Sequence, residues 1–287
     1  MLINKNFEQS PVNLAGLVND AFINRKDEQT VLIFLHGYLD NAASFSYTLP
    51  LLTDYPCVAI DLAGHGHSDH RSEDAHYHLV DYAYDLHRFI NTQKIKNVIL
   101  VGHSLGAIVC SIYAATQPKA LIGFIAIESI GPLSQSELTT AEQIKHSFES
   151  RDRAYKAIKQ PKSMVELVKA RCAISDLSSA MAETILQRNV KQDPNGSLLW
   201  RTDKRLRTKS PMRMTEAQAN NVIANIACPR ALVIGSDGFD KIKRILNERS
   251  SLFDHVDTVE FQGGHHVHLD APEQVAQFIV KKIDSFE

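Results

Sequence analysis

Residues 98–106 read Val-Ile-Leu-Val-Gly-His-Ser-Leu-Gly, an apolar run that breaks into Gly102-His103-Ser104-Leu105-Gly106. This is a G-x-S-x-G pattern, with a strand-like stretch before it and a helix-forming stretch over 107–117 after it. A strand–turn–helix junction of this kind is tight. A side chain at 102 or 106 would crowd the neighbouring strand and helix, and Ser104 would no longer be held out beyond the strand end. The same five residues also describe an incidental serine in an ordinary turn, so the rest of the chain has to decide.

Outward from this junction, apolar and β-branched runs recur at 30–35, 57–62, 123–127, 230–234 and 258–261, each of strand length and bounded by turn residues. A stretch around 12–23 adds an N-terminal hairpin. Between the runs, 79–93 and 107–117 space their apolar residues as helices do. Strand and helix in alternation predict an α/β fold: a mostly parallel central sheet flanked by helices, with ligands beyond the carboxyl ends of its strands. The alternation lapses between residues 132 and 226, where 136–149, 163–173 and 178–191 read as amphipathic helices. This predicts a core of 1–132 and 227–287 with a helical cap, 133–226, inserted after the sixth strand. Charge divides along nearly the same line. Residues 134–222 carry 16 Lys and Arg against 10 Asp and Glu, and the remainder carries 15 against 23.

The chain has 287 residues, near the limit for one hydrophobic core, which suits one domain with a sizeable insertion. A net charge of −2 points to neither nucleic acid nor a membrane surface as partner. The start, Met1-Leu2-Ile3-Asn4-Lys5-Asn6, has no signal-peptide apolar core, and no run reaches membrane-spanning length. Cys57, Cys110, Cys172 and Cys228 lack metal or redox spacing, and three of them, in or beside apolar runs, read as reduced core residues. The expectation is a cytoplasmic protein, monomeric or a small homo-oligomer.

Chemistry-bearing residues gather at the predicted strand ends. His36-Gly37-Tyr38-Leu39-Asp40-Asn41 follows the strand at 30–35, and acyl transfer needs two fixed N–H donors for its oxyanion. One is expected from Leu105, directly after Ser104, and the other from Tyr38. His36 reads as a residue that hydrogen-bonds loops, and Asp61 and His65 as parts of an ordered turn. In this architecture the base follows the nucleophile and acid in chain order. The segment Gly263-Gly264-His265-His266-Val267-His268 supplies it, and His265, next to the glycine pair, is the candidate base. His266 and His268 are expected to support it. His265 and His268 on a loop lack the other ligands of a zinc pattern, so neither metal nor cofactor is expected. For the acid, which must accept from the imidazole Nδ1–H, Glu128 and Asp237 both lie at strand ends.

Together these pieces resemble the α/β-hydrolase superfamily, and within it the serine-hydrolase-like esterase group. The resemblance rests on His36–Phe45, Asp61-Leu62-Ala63-Gly64-His65-Gly66, the elbow at 102–106, Ser210–Glu216 and His265–Pro272, and runs from about residue 30 to 280. It implies His265, seven residues before Pro272, as base. The usual family position for the acid, after the strand at 230–234, is here Gly238, a departure from the pattern. A minority of relatives carry the acid after the preceding strand, which matches Glu128, 24 residues beyond Ser104; Asp237 is the alternative and Asp240 a third. Ser104 separates the chain from dehalogenases and epoxide hydrolases of similar scaffold, which use Asp at the elbow. The implied function is a serine hydrolase of carboxylic or thioester bonds in small to medium acyl substrates. A C–C bond hydrolase or lyase, or a binding protein on this scaffold, are the alternatives. The run Arg201–Lys209, with five cations, is either a recruiter of anionic substrates or a solvated cap face.

Overall fold

A computed structural model of the chain describes residues 1–154, 156, 160–253 and 255–286. Its centre is an eight-stranded sheet: β1 (Ile3–Phe7), β2 (Leu14–Val18), β3 (Thr30–Leu35), β4 (Cys57–Asp61), β5 (Asn97–His103), β6 (Leu121–Ile127), β7 (Arg230–Gly235) and β8 (Val256–Phe261). The spatial order is β1-β2-β4-β3-β5-β6-β7-β8. Only β2 runs against its neighbours; β3 to β8 are all parallel. The arrangement is the α/β-hydrolase fold.

The inner strands, β2 to β7, are apolar on both sides because both sides are covered. Along β3, Val31, Ile33 and Leu35 enter one core layer while Leu32 and Phe34 enter the other. β5 divides in the same way, Val98 and Leu100 to one side and Ile99 and Val101 to the other. The two-residue period of a strand makes this division, and each fully buried side chain of this size contributes roughly 2 kcal/mol. Helices α1 (Leu79–Thr92) and α2 (Leu105–Ala114) cover the first face. The C-terminal helix, α8 (Pro272–Phe286), covers the second with Val275, Ala276, Ile279 and Ile283. All four cysteines are free thiols, with Cys57 and Cys110 buried.

Between β6 and β7 the described residues add no strand to the sheet. It forms α3 (Thr140–Ala154), α4 (Met164–Cys172), α5 (Ser179–Asn189), a two-stranded hairpin (Val190–Gln192 with Leu198–Trp200) and α6 (Glu216–Ala224). The hairpin is not legible in the sequence, since three-residue strands carry too few positions for a period. Nor does α4 bury a residue, although its sequence reads as amphipathic; Val168 and Cys172 lie only partly covered against a small cluster of Leu177, Ala182, Ile185 and Leu269. Helix α7 (Asp240–Glu248) links β7 to β8. The N-terminal hairpin begins earlier than expected, with β1 at Ile3. Among the described residues no helix is long and apolar enough to cross a membrane.

Candidate active site

Three loops at the carboxyl ends of β3, β5 and β6 each hold a non-glycine residue with positive φ: Leu39 at 61°, Ser104 at 50° and Glu128 at 54°. Lys94 and Gln117 share the feature but stand just beyond helix C-termini, where a left-handed residue is ordinary. The first three have no such explanation, and backbone strain of this kind gathers at functional sites. At Ser104 it makes the elbow. The Ser104 N–H bonds to Ile127 O at 2.9 Å and its carbonyl accepts from Ile108, so the residue joins β5 to the first turn of α2 with its side chain at the apex. The flanking glycines are required by space. A Cβ on Gly106 would lie 2.0 Å from Leu35 O, and one on Gly102 would lie 2.6 Å from the Ala107 backbone.

Glu128, 1% exposed, stands at the end of β6. Its N–H bonds to Val233 O at 2.9 Å, and its Oε1 accepts from the Gly235 N–H at 2.7 Å. Its Oε2 accepts from His265 Nδ1 at 3.1 Å. That bond puts the imidazole proton on Nδ1 and leaves Nε2 with a free lone pair. Gly238 explains the departure from the family pattern. A Cβ there would lie 2.4 Å from Glu128 Oε1, so the β6 carboxylate fills the space next to the position where relatives carry their acid. Asp237 is turned elsewhere, accepting from Ser236 Oγ at 3.0 Å and Gln262 Nε2 at 2.9 Å on the surface. Asp240 is exposed in the first turn of α7, where a carboxylate suits the helix dipole.

His265 is buried, and the ring of Phe239 stacks on it with centroids 4.1 Å apart and planes 20° apart. Sequence reasoning missed this residue, because nothing in a lone exposed Phe announces its partner. His103, beside Ser104, donates from Nε2 to the His265 carbonyl at 2.9 Å, tying the elbow to the histidine loop. Among the described residues no acceptor reaches the backbone N–H of Tyr38 or Leu105. His36 accepts from the Leu62 N–H at 3.0 Å and donates to Gly37 O at 2.7 Å, bridging two loops as a neutral ring; burial lowers its pKa. His65 is wholly buried with Nδ1 3.2 Å from Ala63 O, and Asp61 accepts from Ala42, His67 and Arg188.

A second polar cluster lies beside this site, around His266, one of the two histidines expected to support His265. His266 donates from Nδ1 to Asp176 at 2.6 Å and from Nε2 to Asp40 at 3.2 Å, while Arg171 donates to Asp40 at 2.5 Å. Burial opposes the imidazolium, but the bonds to Asp176 and Asp40 outweigh it and lift the pKa of His266 to about 9. Burial likewise opposes the charge on Asp40 and Asp176, and the same partners hold both well below the usual carboxylate range. His268 bonds Ser44 Oγ at 2.7 Å, and burial lowers its pKa to about 3. Asp40 and Asn41 are buried ties to the inserted helices: Asp40 accepts from Arg171, and Asn41 donates to Ile185 O and Asn189. In the basic run 201–209, Arg205 is engaged by Asp203 and by the carbonyls of Arg71, Ser72 and Ala75, and Arg201 by Val190 O.

Comparison with known proteins follows the same outline. The alpha/beta hydrolase fold family matches residues 30–272. The chain is 27% identical over 268 residues to a serine hydrolase-like protein of Danio rerio, covering 86% of this chain and 79% of that one. It is 26% identical over 271 residues to serine hydrolase-like protein 2 of Homo sapiens, covering 86% and 85%. The crystal structure of a hypothetical protein from Pseudomonas aeruginosa PAO1 superposes with a TM-score of 0.87 at 30% identity, covering 98% of this chain and 99% of that one. With the family match spanning most of the chain, it belongs to the α/β-hydrolase superfamily, is similar to serine hydrolase-like proteins within it, and is by class a hydrolase.

Proposed function

We propose that the protein is a serine hydrolase that cleaves carboxylic or thioester bonds of small to medium acyl substrates through an acyl-enzyme. The observation that carries this is the bond from His265 Nδ1 to the buried Glu128 carboxylate, beside the strained Ser104 elbow. In the proposed cycle Ser104 Oγ attacks the substrate carbonyl as His265 Nε2 takes its proton. Glu128 holds the ring in the required tautomer and stabilises the imidazolium. The N–H groups of Tyr38 and Leu105 bind the oxyanion, His265 protonates the leaving group, and water then repeats the sequence. The free N–H groups support that oxyanion assignment, and the bonding of Asp237 elsewhere supports Glu128 as the acid. Residues 133–226 act as the cap over the carboxyl ends of the strands. The engaged state of Arg205 and Arg201 favours a fold-holding role for the basic run over recruitment of anionic substrates.

The test is hydrolysis of p-nitrophenyl esters from acetate to laurate, with acyl thioesters alongside, by the native protein and by Ser104→Ala. Turnover is expected to peak at one chain length and to fall about 10⁴-fold or more in the variant. Absence of Ser104-dependent turnover on every ester and thioester overturns the proposal and turns attention to C–C bond cleavage.

A further inference from the structure

The polar cluster beside the proposed triad has a geometry that exceeds what holding loops together requires. His103 is 1% exposed, and its Nε2–H is committed to the His265 carbonyl, so its Nδ1 carries a lone pair. That Nδ1 is buried and has no hydrogen-bond partner. A bare, buried imidazole nitrogen is costly unless something meets it. His103 groups with His266 and Asp40, and one ligand atom from each of the three lies within 4.8 Å of the others. The His266–Asp40 edge is already 3.2 Å, close to the spacing of two donors on one tetrahedral ion with bonds of about 2.0–2.1 Å. Gly37 keeps the space beside them open. A Cβ there would come within 2.8 Å of His103 Nδ1 and 3.2 Å of Asp40 Oδ2.

The outer partners also have the form that metal-binding histidines take. A ligating imidazole donates its far N–H to a carboxylate or a carbonyl, which fixes the tautomer and aims the near nitrogen. His266 does so to Asp176 and His103 to His265 O. Asp40 keeps its other oxygen on Arg171, which fixes the carboxylate plane. His265 and His268, the pair weighed in the sequence, are not this set; His268 is occupied by Ser44 through Nε2.

We propose that His103, His266 and Asp40 form a buried site for one divalent first-row transition ion. Two imidazoles and one carboxylate suit zinc, cobalt, nickel or iron better than calcium or magnesium. As the ion enters, one proton leaves His266 Nε2 for solvent. The ion takes lone pairs from His103 Nδ1, His266 Nε2 and Asp40, and no electron is transferred. The position has a consequence for activity. His103 adjoins Ser104, His266 adjoins His265, and Asp40 stands two residues after Tyr38. An ion there ties together the backbone next to all three, so its occupancy alters turnover. Binding itself does not depend on the serine-hydrolase reading.

The experiment uses untagged, metal-stripped full-length protein titrated with Co²⁺ and, separately, Zn²⁺. The expected result is uptake of one ion per chain with the intense visible absorption of tetrahedral Co²⁺, displaced by Zn²⁺. His103→Gln and Asp40→Asn are expected to weaken binding a hundredfold or more, and Asp176→Asn by about 10–100-fold through the lost outer partner. X-ray absorption on the Zn²⁺-loaded native protein is expected to give two imidazoles plus oxygen, which keeps the test valid should a variant fail to fold. No tetrahedral band, binding unchanged in folded variants, or a shell with fewer than two imidazoles each overturns the proposal. Site binding by a protein without Ser104-dependent turnover would leave the metal site standing and remove only the hydrolase reading.

Discussion

At the residue scale, the acid of the proposed triad is decided by which side chain occupies one small volume. Glu128 leaves β6 with φ at 54° and sends its carboxylate into the space that a side chain at 238 would enter. The cost of burying that charge is offset by the Gly235 N–H and the His265 Nδ1–H, two directed bonds to the same group. Glu128→Gln is therefore expected to lower kcat for a cleaved ester about a thousandfold or more with the fold retained, while Asp237→Asn stays within about twofold. Steady-state kinetics on both variants checks this, and the reverse ranking would move the acid to Asp237. Gly238→Ala should also lower activity sharply, because its methyl group meets Glu128 before any substrate is present.

At the scale of elements, Arg249 after α7 clamps both crossings between the core and the inserted helices. Its guanidinium bonds Pro132 O at 3.0 Å where the chain leaves the core, and Glu216 at 2.7 Å where α6 begins. The start of α6 is further set by a capping box of Thr215 and Gln218. Hydrogen bonds from Arg249 and Ser134 hold the Glu216 pKa down to about 2, against burial. A depressed carboxylate contributes stability that is fully present above its unfolded pKa and is lost as pH falls through its folded one. Glu216 is half exposed, so the contribution is small, about 1 kcal/mol. Urea unfolding should then separate native protein from Glu216→Gln by that amount at pH 7, with the gap closing between pH 4.5 and pH 2. A gap independent of pH would show that the clamp works through shape rather than charge.

Across the whole molecule, the inserted helices and their loops are held by polar ties as well as by apolar packing, with Leu206 inside the main core. Their small apolar cluster joins the main body through Leu269. The ties are numerous: Arg188 forks onto Asp61 at the end of β4, Arg171 reaches Asp40, Asp176 reaches His266, and Tyr38 Oη donates to Leu206 O at 3.0 Å. Arg188 is 7% exposed and Asp61 wholly buried, so removing one partner strands a charge. Arg188→Met is expected to cost about 3 kcal/mol in urea unfolding and to speed trypsin cleavage within 133–226 before the sheet opens. Unchanged cleavage there would mean that the other ties carry the attachment.

What the sequence alone determined is what local patterning controls. Six of the eight strands were legible: β3 to β7 because two-sided burial demands continuous apolar runs, and the edge strand β8 from its short β-branched and apolar stretch alone. The elbow was legible because only glycine fits at 102 and 106, and the run of helices between β6 and β7 because its polarity breaks the alternation. The pairing of distant side chains was left to the tertiary structure. The sequence prefers Glu128 to Asp237 through the family resemblance alone, and it is the packing of β6 against β7 that brings one carboxylate to His265 while the other faces solvent. The joining of Asp40, Asp176, Arg171 and His266 across 226 residues of separation is of the same kind. Periodicity acts over a few residues. Desolvation and hydrogen bonding act on whatever the fold brings into contact, and that is where the site was decided.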